Sequence, residues 1–254
     1  MQYGMVIGLQ RCVGCGACAL SCKLENNTPD RDVENGQTFN RADFIHRTTG
    51  TFPELVHETL PVLCNHCSNA ACVAACPVTP KAIYKDSNGL TMTSNERCMG
   101  CQSCQEACPY SAQDVNEEGA EYSVLSLNAR KPHWFFRDEE EAIPQGTTSG
   151  AELARLTGDT PPHHTHYGGQ PYASVRPGDV LEKCIFCAHR LERGQLPACV
   201  VACPSGARVF GDLDDPQSEP RLQLSRYASF VLQPEAGTRP NVHYVRRFKA
   251  PARS

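Results

Sequence analysis

The chain has 254 residues, 40% of them hydrophobic, and a formal net charge of -4. That length suits one large domain or two smaller ones, and the mild acidity gives no reason to expect a nucleic-acid backbone as partner. Sixteen cysteines stand beside one tryptophan and nine phenylalanines, so oxidation or metal binding must supply order that a thin aromatic core does not.

In chain order, the first readable element is a strand, YGMVIGL at 3–9, which runs straight into a cysteine motif. The opening MQYGMVIGLQRC shows no basic n-region, twin arginine or apolar h-region, so the chain is expected either to stay in the cytoplasm or to be exported with a partner that carries the signal. No apolar run approaches the length of about eighteen residues that a membrane span needs; ACVAAC and ACVVAC, beside the cysteines, are far too short. Four groups of four cysteines follow and leave none over: 12, 15, 18, 22; then 64, 67, 72, 76; then 98, 101, 104, 108; then 184, 187, 199, 203. This is an internal repeat. The last three groups end in Cys-Pro, at Pro77, Pro109 and Pro204, and each is followed by an alanine and a short strand-like run, AIYK, AQDV or ARVF. In the first group Lys23 stands where the proline would be. Arg11, Arg97 and Lys183 precede the first cysteine of three groups, either as ordinary solvated charges or as a balance to metal-cluster charge.

Between the second and third groups, AIYKDSNGLTMTSNERC reads as two strands around an Asn88-Gly89 turn, which makes residues 60–112 one compact unit. Residues 113–179 read as a loop-rich insertion with WFF at 134–136, an acidic run at 138–141, a short helix in AELARL and a polar PPHHTHYGGQPY. His163, His164 and His166 invite a metal reading, but no cysteine or carboxylate sits at ligand spacing beside them, and a polar surface loop is expected. The fourth group runs into ARVFGDL, which is expected to pair with YGMVIGL and so join 1–30 to 180–212 as one discontinuous unit. The remainder, 213–254, reads as a turn, a helix and a final strand. The expected fold class is therefore α+β, with two pseudo-symmetric ferredoxin-like lobes, an insertion and a C-terminal helix and strand extension.

Three kinds of chemistry compete for the cysteines. Disulfides need an oxidising compartment and give no reason for repeated quartets. Tetrahedral zinc suits paired thiolates, and CIFCAHRLERGQLPACVVACP with His189 looks like such a loop in isolation, but zinc does not need a three-cysteine loop with a displaced fourth cysteine. Cubane clusters do: CVGCGACALSC and CMGCQSCQEAC have the CxxCxxCxxxC spacing of bacterial-type ferredoxins, in which the fourth cysteine ligates the other cluster of a pair. The second and fourth groups only stretch one gap, to four and eleven residues, and in this reading His189 is a bystander in the longer detour. The lobe pairing then assigns Cys12, Cys15, Cys18 and Cys203 to cluster one, and Cys184, Cys187, Cys199 and Cys22 to cluster two. It assigns Cys64, Cys67, Cys72 and Cys108 to cluster three, and Cys98, Cys101, Cys104 and Cys76 to cluster four. With no nucleotide loop, catalytic triad or open metal site readable, four one-electron centres make a wire between other proteins.

The four motifs in order, with CNHC opening the second, ACPY at 107–110, KCxFC at 183–187, PACVVACPSGARVFGDLDDPQS at 197–218 and the closing PNVHYV, resemble the iron-sulfur subunit of the molybdopterin oxidoreductases related to dimethyl sulfoxide reductase. VGCGACALSCKLENNT and PEAGTRPNVHYV look most similar to the respiratory arsenate reductase and the polysulfide and tetrathionate reductase branches. The resemblance covers nearly the whole chain. It implies four 4Fe-4S clusters here, and a large catalytic subunit with a molybdenum or tungsten bis-pterin centre beside this chain, in some relatives with a membrane quinol-binding anchor. It also implies an order of clusters one, two, three and four away from the catalytic subunit, an insertion packed on that subunit, and an extracytoplasmic site reached by co-export. A cytoplasmic polyferredoxin-like carrier for a hydrogenase or another redox enzyme is the alternative.

Overall fold

The computed structural model describes residues 1–26, 28, 37–38, 41–111, 113–114, 121–127, 155–158 and 179–246. WFF at 134–136, the acidic run at 138–141, and His163, His164 and His166 lie outside the described residues, as does most of the insertion. The architecture mixes short helices with small sheets, an α+β fold, because four cysteine-bearing loops interrupt the chain before any element grows long.

The largest sheet has four strands in the order Arg208–Asp212, Tyr3–Gly8, Val242–Val245, Ser229–Phe230. Tyr3–Gly8 lies antiparallel to Arg208–Asp212, from Tyr3 opposite Asp212 to Ile7 opposite Arg208, so the two ends expected to meet do pair. On its other side it runs parallel to Val242–Val245. Met5, Val6 and Ile7 are buried, which is how a continuous apolar run behaves when both neighbours and both faces are covered.

The turn read from Asn88-Gly89 is a hairpin, with Ile83–Lys85 antiparallel to Thr91–Thr93. Gly89 takes a positive φ of 72° that an L side chain adopts at a cost. Asp86 organises the turn, its Oδ1 accepting from the amides of Asn88 at 2.9 Å and Leu90 at 2.7 Å. The tip then docks on the first strand through Tyr3 N to Asn88 O at 3.1 Å and Gln2 Nε2 to Gly89 O at 3.2 Å.

Two pairings have no clear sequence signal. Ala42–Thr49 and Val56–Leu63 form an eight-residue antiparallel ribbon, whose inner half, with Phe44, Val62 and Leu63, enters the core. Leu125–Leu127, inside the region read as insertion, pairs with Leu181–Lys183 immediately ahead of the fourth cysteine group.

The C-terminal extension has the expected helix, Glu219–Arg226, whose N-cap Ser218 accepts from Arg221 N. Its further role is to bind the second cysteine group. Ser68 N bonds Arg239 O and Asn69 N bonds Thr238 O, both at 2.9 Å, and Asn241 N bonds Asn65 O at 2.9 Å. Asn241 Nδ2 reaches His66 O at 2.7 Å, and Tyr244 OH reaches Pro61 O at 2.8 Å. These bonds tie the segment that leads into a strand of the large sheet to a loop about 170 residues earlier. Asp86→Ala removes two charge-assisted bonds from the hairpin tip and is expected to lower stability by about 2 kcal/mol, read as an earlier midpoint in chemical denaturation of the intact protein.

Candidate metal centres

Each group opens with a CxxC loop, and in all four the second spacer residue has a positive φ: Gly14 at 65°, His66 at 45°, Gly100 at 68° and Phe186 at 49°. The left-handed turn folds the chain back so that the spacer amide faces the first cysteine of its own group. Phe186 N donates to Cys184 Sγ at 3.4 Å, and the Gly14 amide bonds the Cys12 sulfur. Glycine takes this conformation without strain, whereas His66 and Phe186 incur about 1–2 kcal/mol each. Their rings stack on one another, centroids 3.9 Å apart and 11° from parallel, and both are buried. That contact joins the second and fourth groups and offsets the backbone cost. At Gly100 the constraint is also steric, since a Cβ there would come 2.5 Å from Asp179 O.

In the second and fourth groups the cysteine that ends the group is held differently. Burial pushes the Cys203 thiol up, but the amides of Arg208, Ala207 and Ser205 and the Ser205 hydroxyl more than offset this and leave it lowered. Ala207 N lies 3.2 Å from Cys203 Sγ. Cys76 is lowered in the same way, burial being outweighed by the amides of Ile83, Val78 and Ala82 and by Lys81. The alanine that follows each of these two Cys-Pro pairs thus has a geometric role: proline turns the chain, and the amides beyond it come back onto the sulfur.

The cysteines gather across groups. Cys12, Cys15, Cys18 and Cys203 line one cavity with Ile7, Phe44 and Arg208. Cys76, Cys98, Cys101 and Cys104 line another with Ile83, Met99 and Leu181, and Leu181 N donates to Cys98 Sγ at 3.4 Å. Burial holds the Cys22 thiol well above its usual range, and Cys184, Cys199 and Cys187 push it further. Burial raises Cys72 to about 12, with Cys64, Cys108 and Cys67 adding to the rise against Lys183. Burial likewise raises Cys108 to about 12, with Cys64 and Cys67 contributing. His189 lines neither cavity; its Nε2 is 2.6 Å from Glu25 Oε1, and Arg190 Nη1 is 2.9 Å from Glu25 Oε2, so the fourth group is latched to helix Ala17–Asn26.

Four thiols in one buried space raise one another's pKa, so such a set is stable as thiolates only around a cationic core. None of the sixteen cysteines forms a disulfide. Among the described residues no three His, Cys, Asp or Glu side chains converge closely enough to hold a single metal ion. All-thiol sets met by backbone amides fit a cubane of iron and sulfide. Among the basic residues that precede the groups, Arg97 lies over the Tyr84 ring at 5.0 Å and Arg11 is exposed. Lys183 is only 1% exposed and donates to Cys184 O at 2.6 Å. No helix among the described residues is long and apolar enough to cross a membrane.

Two family models match this chain. The 4Fe-4S dicluster domain covers residues 55–127 and 138–213, and the 4Fe-4S binding domain covers 9–28. The arsenate respiratory reductase iron-sulfur subunit of Shewanella sp. strain ANA-3 is 45% identical over 249 residues, 98% of this chain and 97% of that protein. A putative dimethyl sulfoxide reductase iron-sulfur subunit of Halobacterium salinarum is 36% identical over 99% of this chain and 82% of its own length. A subunit of the tetrathionate reductase of Salmonella typhimurium is 32% identical over 96% of this chain and 72% of its own length. The repeated cysteine quartets, the two dicluster matches and these full-length likenesses place the chain in the 4Fe-4S dicluster family, as an iron-sulfur electron-transfer subunit of the molybdopterin oxidoreductases.

Proposed function

We propose that the four clusters are held as two crossed pairs in two pseudo-symmetric ferredoxin-like lobes, 1–30 with 180–212 and 60–112, and that they conduct in the order one, two, three, four. Cluster one takes Cys12, Cys15, Cys18 and Cys203; cluster two, Cys22, Cys184, Cys187 and Cys199; cluster three, Cys64, Cys67, Cys72 and Cys108; cluster four, Cys76, Cys98, Cys101 and Cys104. When bound, each cubane accepts and releases one electron. The protein's part is to fix the sulfurs, direct amides at them and exclude water from the inner pair.

The carrying observation is the distribution of burial. Cys15 and Cys101 are the exposed cysteines, one in each outer quartet, while all of Cys22, Cys184, Cys187 and Cys199 are buried, as are Cys64, Cys72 and Cys108. Electrons therefore have a surface entry at each end and a dry interior between. Each end also carries exposed apolar residues, Val13 at 69% beside Cys15 and Met99 at 69% beside Cys101, as a docking face does. The large molybdopterin subunit is assigned to the cluster-one end and a quinol-binding anchor or other redox partner to the cluster-four end. The insertion, 113–179, is assigned to contact with the catalytic subunit, and the assembly to the outer face of the membrane, reached by co-export. The likeness to the arsenate respiratory reductase subunit along almost the whole of both chains favours arsenate among the sulfur-oxyanion, sulfoxide and phenolic alternatives.

Protein purified anaerobically is expected to be brown and to contain about sixteen irons per chain, four for each cubane. A colourless preparation containing zinc and no iron overturns the reading. Cys203→Ala is expected to damage cluster one, the one built on Cys12, Cys15 and Cys18, in an EPR redox titration. Loss confined to the Cys184 cluster would refute the crossed ligation.

A further inference from the structure

Arg208 and Lys183 are 3% and 1% exposed. Among the described residues neither has a carboxylate within ion-pairing distance, in contrast to buried Arg41, which lies 3.4 Å from Glu182. A buried cation without a counter-ion is costly and is ordinarily avoided. Both stand among cysteine sulfurs, and each stands where two cysteine quartets meet.

Arg208 belongs to the strand that follows the fourth group and lines the cavity of Cys12, Cys15, Cys18 and Cys203. Its guanidinium also acts on Cys199 of the neighbouring quartet. Its side chain hydrogen-bonds the sulfurs of Cys18 and Cys199, Nη1 lies 3.6 Å from the weak acceptor Met5 Sδ, and Nη2 is buried with no conventional hydrogen-bond partner among the described residues. Lys183 sits one quartet further along, its buried Nζ 2.6 Å from Cys184 O, and its charge acts on Cys184 and on Cys72 of the next quartet.

We propose that Arg208 and Lys183 are redox-tuning residues, each a permanent cation shared by two successive clusters, Arg208 by clusters one and two and Lys183 by clusters two and three. The inference rests on the ligand sets proposed above. Reduction adds one electron, and so one negative charge, to a core already wrapped in four thiolates. A nearby buried cation stabilises that added charge more than it stabilises the oxidised form, and so raises the potential. Because each cation faces both partners of a hop, it raises donor and acceptor together. Each cation by itself leaves the step it spans nearly unchanged, while cluster two, which faces both, is raised most. Cluster four, which neither cation is proposed to face, is left at its own potential.

The test is an EPR-monitored redox titration of the full chain in its complex, for the unmutated protein and for Arg208→Gln and Lys183→Met. Arg208→Gln is expected to disfavour reduction of clusters one and two at least tenfold each, about 59 mV per tenfold for one electron. Lys183→Met should do the same to clusters two and three, with cluster four unmoved by either. Arg208→Lys, which keeps the charge, should restore most of the shift. Should Arg208→Gln lose iron, Met5→Glu keeps the arginine and neutralises it with an adjacent carboxylate, and the same two potentials should fall. Unchanged potentials in variants that retain their iron overturn the proposal, as does an equal shift at all four clusters. Fewer than four cluster signals in the unmutated protein overturns the ligand assignment instead.

Discussion

A single backbone conformation underlies the whole arrangement: the left-handed residue between the first two cysteines of each group. Without it the spacer amide would point away from the sulfur, and the cysteines of one loop would not face a common centre. Two of the four groups meet the requirement with glycine, which tolerates positive φ. The other two meet it with His66 and Phe186, and there the fold must supply a compensating interaction. It does so by stacking the two rings face to face and setting Phe210 edge-on against Phe186 at 5.1 Å. The strained loops belong to the inner quartets and the glycine loops to the outer ones. Close ring packing thus fills the interior, where water must be kept out, and the small residue sits where the chain meets solvent.

A second constraint is closure. The first and fourth cysteine groups are more than 160 residues apart, and the proposed lending of a sulfur from one to the other requires that the backbone fix both. The pairing of Tyr3–Gly8 with Arg208–Asp212 does this directly, and the parallel strand Val242–Val245 covers its other edge. The Glu25 contacts with His189 and Arg190 add a side-chain latch at the far end of the same pair of groups. The same C-terminal segment then carries the second cysteine loop on its backbone, so one extension both completes a sheet and locks the neighbouring unit. A fold with few aromatic residues can be rigid in this way because its non-local hydrogen bonds converge on the loops that bear sulfur.

The features legible in the sequence are those with local causes. Asn88-Gly89 marks a hairpin because its turn needs a residue tolerant of positive φ, which Gly89 supplies, and the stretch after the fourth group reads as a turn and a helix. The quartets are readable because spacing repeats, and the pairing of 3–9 with 207–213 follows from the need to bring the first group to the fourth. The ribbon 42–63 escapes notice: its outer half is polar and exposed, so it lacks the alternation that marks a half-buried strand. Leu125–Leu127 is too short to stand out from a region that otherwise reads as loop. The hold of Asn241 and Thr238 on the second group is invisible as well, since backbone partners so far apart leave no trace in either segment. His189 reads as a non-ligand, and its spacing gives no hint of Glu25. Ala207 and Ala82 stand out as a pattern after Cys-Pro, but the amide that each directs at a sulfur belongs to the backbone and has no letter of its own.

The basic residues show how position decides meaning. Arg11, Arg97 and Lys183 look equivalent in sequence, each standing just ahead of a first cysteine. Arg11 lies in the exposed turn after the first strand, and Arg97 lies over Tyr84 at the end of the hairpin. Lys183 ends a strand whose three residues are all buried, and its ammonium turns inward to donate to Cys184 O. Arg208 gives no such signal, because it follows its cysteine group and faces Ile7 across a strand pair. The residues with most influence on the buried sulfurs are therefore fixed by strand register, and register depends on pairing partners more than 200 residues away for Arg208 and about 60 for Lys183. A one-residue slip would turn either cation away from the cysteines, bringing Ala207 or Val209 to the place of Arg208 and Glu182 or Cys184 to that of Lys183, so strand register also sets the electrostatics around the buried sulfurs.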